Sequence, residues 1–189
     1  MKLMKQTLLI LLLISLISCN SNKNSESVRQ NEFEKYIESL DQIPLPLNHN
    51  MKIELPELSE NYDTSGFLRF KHVWTSKPLG LLYKNDKSIV TIELSIGDIG
   101  LVPFLVSYDL NGNKIDSLGP YKKSGWDMGY EAFEYLTINK DRTIIVTDTV
   151  KRWKINEDET DIIEDSLTIT MDTVLYQITI EGEIIQDKK

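Results

Sequence analysis

Thiol and imidazole chemistry is nearly absent from this sequence. One cysteine, Cys19, and two histidines, His49 and His72, are all that its 189 residues contain. A lone cysteine excludes an intrachain disulfide and a cysteine metal set. Histidine is the commonest acid–base and metal residue, but these two stand in no H-x-x-x-H or H-E-x-x-H spacing. His49 lies in a Pro/Asn-rich loop, and His72 lies in FLRFKHVW, which reads as a strand. The G-x-S-x-G elbow, the Walker loop and the G-x-G-x-x-G turn are missing as well. No cofactor and no metal site is expected. Basic charge is also short, with 21 Lys and Arg against 29 Asp and Glu, a net charge of −8. That balance suits neither nucleic acid nor an anionic membrane surface.

Long apolar runs are equally scarce, and the single one is at the start. Lys2 and Lys5 precede a nearly unbroken Leu/Ile run from Thr7 to Ile17. As a helix this spans roughly 16 Å, too short for a bilayer core of about 30 Å, and the layout is that of a secretory signal peptide. The run ends Leu16-Ile17-Ser18-Cys19. These four residues resemble the lipobox of bacterial lipoproteins. The resemblance implies that Cys19 carries a diacylglycerol and that residues 1–18 are removed. The partner expected first is therefore the lipid bilayer, held through the Cys19 acyl anchor, because two or more acyl chains anchor stably where one holds marginally. Processing leaves 29 acidic and 19 basic residues and a thiol-free mature chain.

Residues 19–31 read as the lipidated cysteine and a polar flexible tether. Residues 32–189 read as a single β-rich domain that opens on a helix at 32–40. Phe33, Tyr36, Ile37 and Leu40 share one helical face, with Asn31 as the expected cap and Glu34 as its capping-box partner. Beyond Pro44 and Pro46 the apolar period changes from 3.6 to 2. The alternation marks strands through Met51–Leu55, Val90–Ile96, Phe104–Tyr108, Ile144–Val146, Leu167–Met171 and Val174–Ile180, each expected to bury one face. Asn111-Gly112, Lys140-Asp141, the acidic stretch 157–161 and Glu181-Gly182 separate them as turns. The predicted fold is mainly β: an antiparallel meander of hairpins, sandwich-like or partially propeller-like, with one short N-terminal helix.

The lipobox, the tether and phrases such as YDLNGNKIDSL and EYLTINKDRTIIVTD resemble small uncharacterised Bacteroidetes-type lipoproteins. The resemblance implies a cell-envelope β domain, anchored in the outer membrane, with no known activity.

One segment escapes strand chemistry. The connection GPYKKSGWDMGY (119–130) carries Tyr121, Trp126 and Tyr130, and aromatics on a loop suit protein or sugar surfaces. These three are the candidate ligand-binding residues, with the alternative that they fold back to cap the sheet. Trp74 and Trp153 read as core. Asp127, Glu131 and Glu134 could serve a glycan or peptidoglycan hydrolase working with carboxylates alone. Asp109, Asn111, Asn113 and Asp116 superficially resemble a calcium loop but lack its glycine position and distal Glu. The leading expectation is a non-enzymatic binding or adaptor module of the envelope whose partner is an envelope protein or a glycan.

Overall fold

The structure is a computed structural model that describes residues 26–50, 53, 55–56, 61–97 and 100–187. Cys19, the apolar run before it and most of the expected strand at 51–55 lie outside the described residues. Among the described residues, two helices and ten strands form three layers.

The first helix, α1, covers residues 26–38. It is longer than the predicted 32–40, so Asn31 lies inside it instead of capping it, and residues 26–31 of the expected tether are helical. A second helix, α2 (Thr64–Phe70), occupies the segment read as a strand. Asp63 caps it, its side chain accepting from Gly66 N–H at 3.1 Å, and Phe67 and Phe70 fall one turn apart on its buried side. The cap and the i, i+3 aromatic pair outweigh the short alternation in FLRF. Trp74 follows in the turn after α2 and is 76% exposed, contrary to the core position expected for it. Trp153 is half-buried. Its N–H bonds to the Gly129 carbonyl beside an irregularity in the strand pairing.

The strands form two antiparallel sheets. The first holds β2 (Thr75–Lys84), β3 (Ser88–Gly97), β4 (Gly100–Asp109) and β5 (Lys114–Leu118) in sequence order. The second runs β1 (Leu47–His49), β7 (Tyr130–Ile138), β8 (Thr143–Ile155), β9 (Ile162–Ile178) and β10 (Ile184–Gln186). In it, β6 (Gly125–Asp127) also pairs with β7. The hairpin meander expected from sequence is thus a sandwich with a helical layer added.

Two buried clusters define the layers. Val90, Ile92 and Leu94 of β3 pack against Leu136, Ile138, Ile144, Val146 and Ile178 of the second sheet. Ile89, Val106 and Tyr108 turn the other way, onto Phe33, Tyr36, Ile37, Phe67 and Phe70 of the helices. The first sheet is therefore covered on both faces. This corrects the expectation that strand 90–96 buries one face. Thr91 and Glu93 are fully buried. Glu93 accepts from Thr75 Oγ1 at 2.5 Å, from His72 N–H at 3.1 Å and from Tyr108 Oη at 3.1 Å, as a buried carboxyl must.

One three-residue hairpin loop recurs. In segments 109–113, 139–143 and 179–183 the first N–H bonds to the fifth carbonyl and the fourth N–H to the first carbonyl. The fourth residue has positive φ: Gly112 at 77°, Arg142 at 70° and Gly182 at 97°. This is the loop with a left-handed residue before the closing strand, one residue longer than the two-residue Asn-Gly turn. Asp109 spends its carboxylate on the Asn111 and Asn113 N–H groups and on Asn113 Nδ2, at 2.8–2.9 Å. Turn closure therefore accounts for the pattern that resembled a calcium loop.

Candidate functional site

The connection 119–130 divides its aromatics between two faces of the second sheet. Glu134 decides this. It points from β7 toward the sandwich interior, and its carboxylate gathers the N–H groups of Lys122, Lys123 and Ser124 at 2.7–3.0 Å, plus Ser124 Oγ at 2.9 Å. Three successive backbone donors on one carboxylate form an anion nest, which folds the connection back over the inner face. Tyr121 then packs against the buried core between the sheets. Its ring stacks on His49 at 5.6 Å, its hydroxyl lies 2.5 Å from His49 Nδ1, and it donates to the His49 carbonyl at 3.0 Å. Tyr130 donates to the Lys123 carbonyl at 2.7 Å and lies under the Arg152 guanidinium at 4.8 Å. Tyr121 and Tyr130 are thus held structurally.

Trp126 is placed differently. It is opposite Glu131, which is opposite Lys151, which is opposite Ile169. Residues directly opposite in a ladder share a face, and this row lies on the outer face. The next rows there are Phe133, Thr149 and Met171, then Tyr135, Thr147 and Thr173. Trp126 is 65% and Met171 75% exposed. A groove of about 480 Å³ lies beside Tyr135 along residues 147–149 and 171–173, so that Asp148 and Asp172 also line it. Of the three expected ligand-binding aromatics, only Trp126 joins this surface. Sequence reading missed Tyr135, Met171 and the threonines, although the alternation in YEAFEYL and LTITMDT already put them on one side.

Changing Trp126 to alanine separates a surface role from a capping role. A side chain this exposed contributes little to folding, so the variant should keep its stability within about 0.5 kcal/mol, measured by urea unfolding. A larger loss would return Trp126 to the capping role.

The carboxylates proposed for hydrolysis do not converge. Glu131 faces outward and pairs with Lys151 at 2.6 Å, while Glu134, three residues on, faces inward and is clamped by backbone. Asp127 is opposite Tyr130, four residues from Glu134, or about 13 Å along a strand. Paired glycosidase carboxyls need roughly 5 to 9.5 Å.

Family models, curated proteins and solved structures give no match to this chain.

On the inner face, Glu134, Asp148 and Asp172 stand opposite one another across β7, β8 and β9. Lys123 bonds Asp148 Oδ2 at 2.5 Å and lies 4.0 Å from Asp172. That bond holds the Lys123 ammonium above the usual lysine range. Among the described residues, no group of three or more His, Cys, Asp and Glu is placed to hold a metal ion, and no helix is long and apolar enough to cross a membrane. The row's role here is to fasten the 122–124 connection.

Proposed function

We propose that this protein is a lipid-anchored lipoprotein of the bacterial cell envelope, held in the outer membrane at Cys19, whose folded part is a non-enzymatic binding or adaptor module. The anchor rests on the Leu16-Ile17-Ser18-Cys19 sequence behind its apolar run. The binding role rests on one observation. Among the described residues, the outer face of the second sheet is the one sheet face that no other layer covers. It presents Trp126, Tyr135, Ile169 and Met171 to solvent around the groove. These apolar side chains flank a polar strip of Thr147, Thr149 and the Glu131–Lys151 ion pair, and exposed apolar groups beside polar ones on an uncovered face are what interaction sites carry. The acidic charge keeps such a surface soluble and steers it away from anionic lipids.

One experiment in cells tests both parts. A photo-crosslinking residue replaces Tyr135 in the full-length protein, with the exposed turn residue Lys87 as the control position. The Tyr135 position should give a discrete crosslinked species and the Lys87 position none. In the same strains, Cys19→Ser should move the protein from the membrane to the soluble fraction. Retention of that variant in the membrane fraction rejects the anchor, and equal crosslinking from both positions rejects the outer face as the binding surface.

A further inference from the structure

The two long strands at the sheet margins are treated in opposite ways. β2 is guarded. It carries Pro78, its register against β3 shifts in three places, and residues 41–43 lie along its free side, with Leu81 N–H bonded to the Asp41 carbonyl and Ile43 N–H to the Leu81 carbonyl. These are the usual means of blunting an edge. β9 is less guarded from Thr168 to Val174: its register against β8 shifts only beyond Thr168, and Asp172 is the one charged side chain in that stretch. β10 covers Tyr176–Ile178, and Asp187 N–H reaches the Leu175 carbonyl. Among the described residues, no strand pairs with that side of β9 from residue 162 to residue 174.

The direction of its backbone groups follows from the bonds at the covered end. Ile178 N–H donates to the Arg142 carbonyl on the β8 side, and the Leu175 carbonyl accepts on the far side. Pairing with β8 runs without a break from Gln177 to Thr168. Backbone direction alternates residue by residue in an antiparallel ladder. Ile169, Met171 and Thr173 therefore aim their N–H and C=O groups at the open edge, where the Thr173 N–H is already held by Asp172 Oδ1 at 2.7 Å, which leaves two N–H and three C=O groups for an added strand. Their side chains stand on the outer face beside the groove. Thr170 and Asp172 stand on the inner face, and the Asp172 side chain is 67% exposed.

The chemistry of this edge selects its occupant. β9 contains Glu164, Asp165 and Asp172 and no Lys, Arg or Pro. A second copy would set two such acidic strands side by side on chains of net charge −8. A basic strand complements it.

We propose that the open edge of β9 receives an extended segment of a partner polypeptide as an added strand, with apolar residues beside Ile169 and Met171 and a lysine or arginine beside Asp172. Main-chain bonds to these groups supply the affinity and the alternating side chains the selectivity, the usual division in strand addition. This names the partner class for the binding role proposed above and rests on it.

The test uses the full-length protein in detergent and, as probe, an end-blocked seven-residue peptide alternating valine and lysine. A second probe is the same peptide N-methylated on alternate residues. The first peptide should bind and slow hydrogen exchange at the amides of Ile169 and Met171. The methylated peptide should bind at least tenfold more weakly. Met171→Pro removes one outward N–H without touching the β8 ladder and should also cost at least tenfold. Asp172→Asn should cost a few-fold. Equal binding of both peptides, or protection elsewhere in the chain, overturns the proposal without recourse to any variant. So does a free protein that sediments as a dimer with these amides already protected. A crosslink from position 135 in cells that survives Met171→Pro rejects only the strand addition. Absence of that crosslink rejects the binding role itself.

Discussion

Gly80→Ala should cost about 3 to 5 kcal/mol of stability, a large part of the 5–15 kcal/mol available to a typical domain. Gly80 lies in β2 with φ +149°, a conformation that side chains rarely adopt. A Cβ there would sit 2.5 Å from the Asp41 carbonyl oxygen and 2.7 Å from Ile43 Cδ1. The first contact is with backbone and cannot rotate away. That backbone is also pinned: Leu81 N–H bonds to the Asp41 carbonyl at 2.8 Å, and Gln42 Nε2 bonds to the Leu81 and Leu82 carbonyls at 3.0 Å. Relief of the clash would therefore lift the segment that links α1 to the sandwich. Gly125 is the internal control, with φ +151° and no atom within 4 Å of the place a Cβ would take. Gly125→Ala carries the backbone strain alone and should cost about 1 to 2 kcal/mol. Urea unfolding of both variants isolates the contact as their difference. Equal losses would show that the 41–43 segment yields freely.

Acid should weaken the fold through His49. His49 is 7% exposed, with its ring stacked on Tyr121, and burial lowers its pKa to about 4 from an ordinary 6.5. Above pH 6.5 the imidazole is neutral whether the chain is folded or not, so the contribution is fully present there. As pH falls from 6.5 toward 4 the unfolded chain takes up the proton first, and stability drops by an amount on the order of 2 to 3 kcal/mol. Glu93 acts with the opposite sign. Burial raises its pKa, so the folded state holds the proton at a higher pH than the unfolded chain does, and the fold gains as pH falls toward the ordinary glutamate range. A proton on Glu93 also completes the local bonding. The carboxyl can donate to Tyr108 Oη, leaving the Tyr108 hydroxyl free to donate to the Phe70 carbonyl at 2.8 Å. Unfolding measured at pH 7 and pH 4.5 should show a net loss in the native protein. His49→Gln should flatten that loss by about 2 kcal/mol, and Glu93→Gln should deepen it. An unchanged pH difference in His49→Gln would contradict the assignment.

The strands and hairpins were legible because their cues are local. Period-2 alternation is a property of a few neighbouring residues, and the loop at 109–113 announces itself through Asp109 and Gly112. Its twin at 139–143 was visible only as Lys140-Asp141, because Arg142 takes the left-handed position that glycine fills elsewhere. The third layer was not legible. Thr91 and Glu93 read as solvent-facing because threonine and glutamate usually are, and only the packing of α1 and α2 makes them interior. The same cause hid α2, whose seven residues gain most of their stability from the sheet beneath. Of the candidate site, Trp126 could be found from its loop. The fates of Tyr121 and Tyr130 depended on Glu134, whose hold on Lys122–Ser124 no spacing rule describes. The open edge of β9 is a property of strand order and has no local trace.

The side on which α1 packs has a geometric consequence. α1 lies against the first sheet, with Arg29 bonded to the Gly112 carbonyl, so the chain enters the fold on the face opposite the groove. If Cys19 carries the proposed anchor, the seven steps from Cys19 to Glu26 reach at most about 25 Å, which would set the bilayer on the helix side and leave the groove and the β9 edge looking away from the lipid.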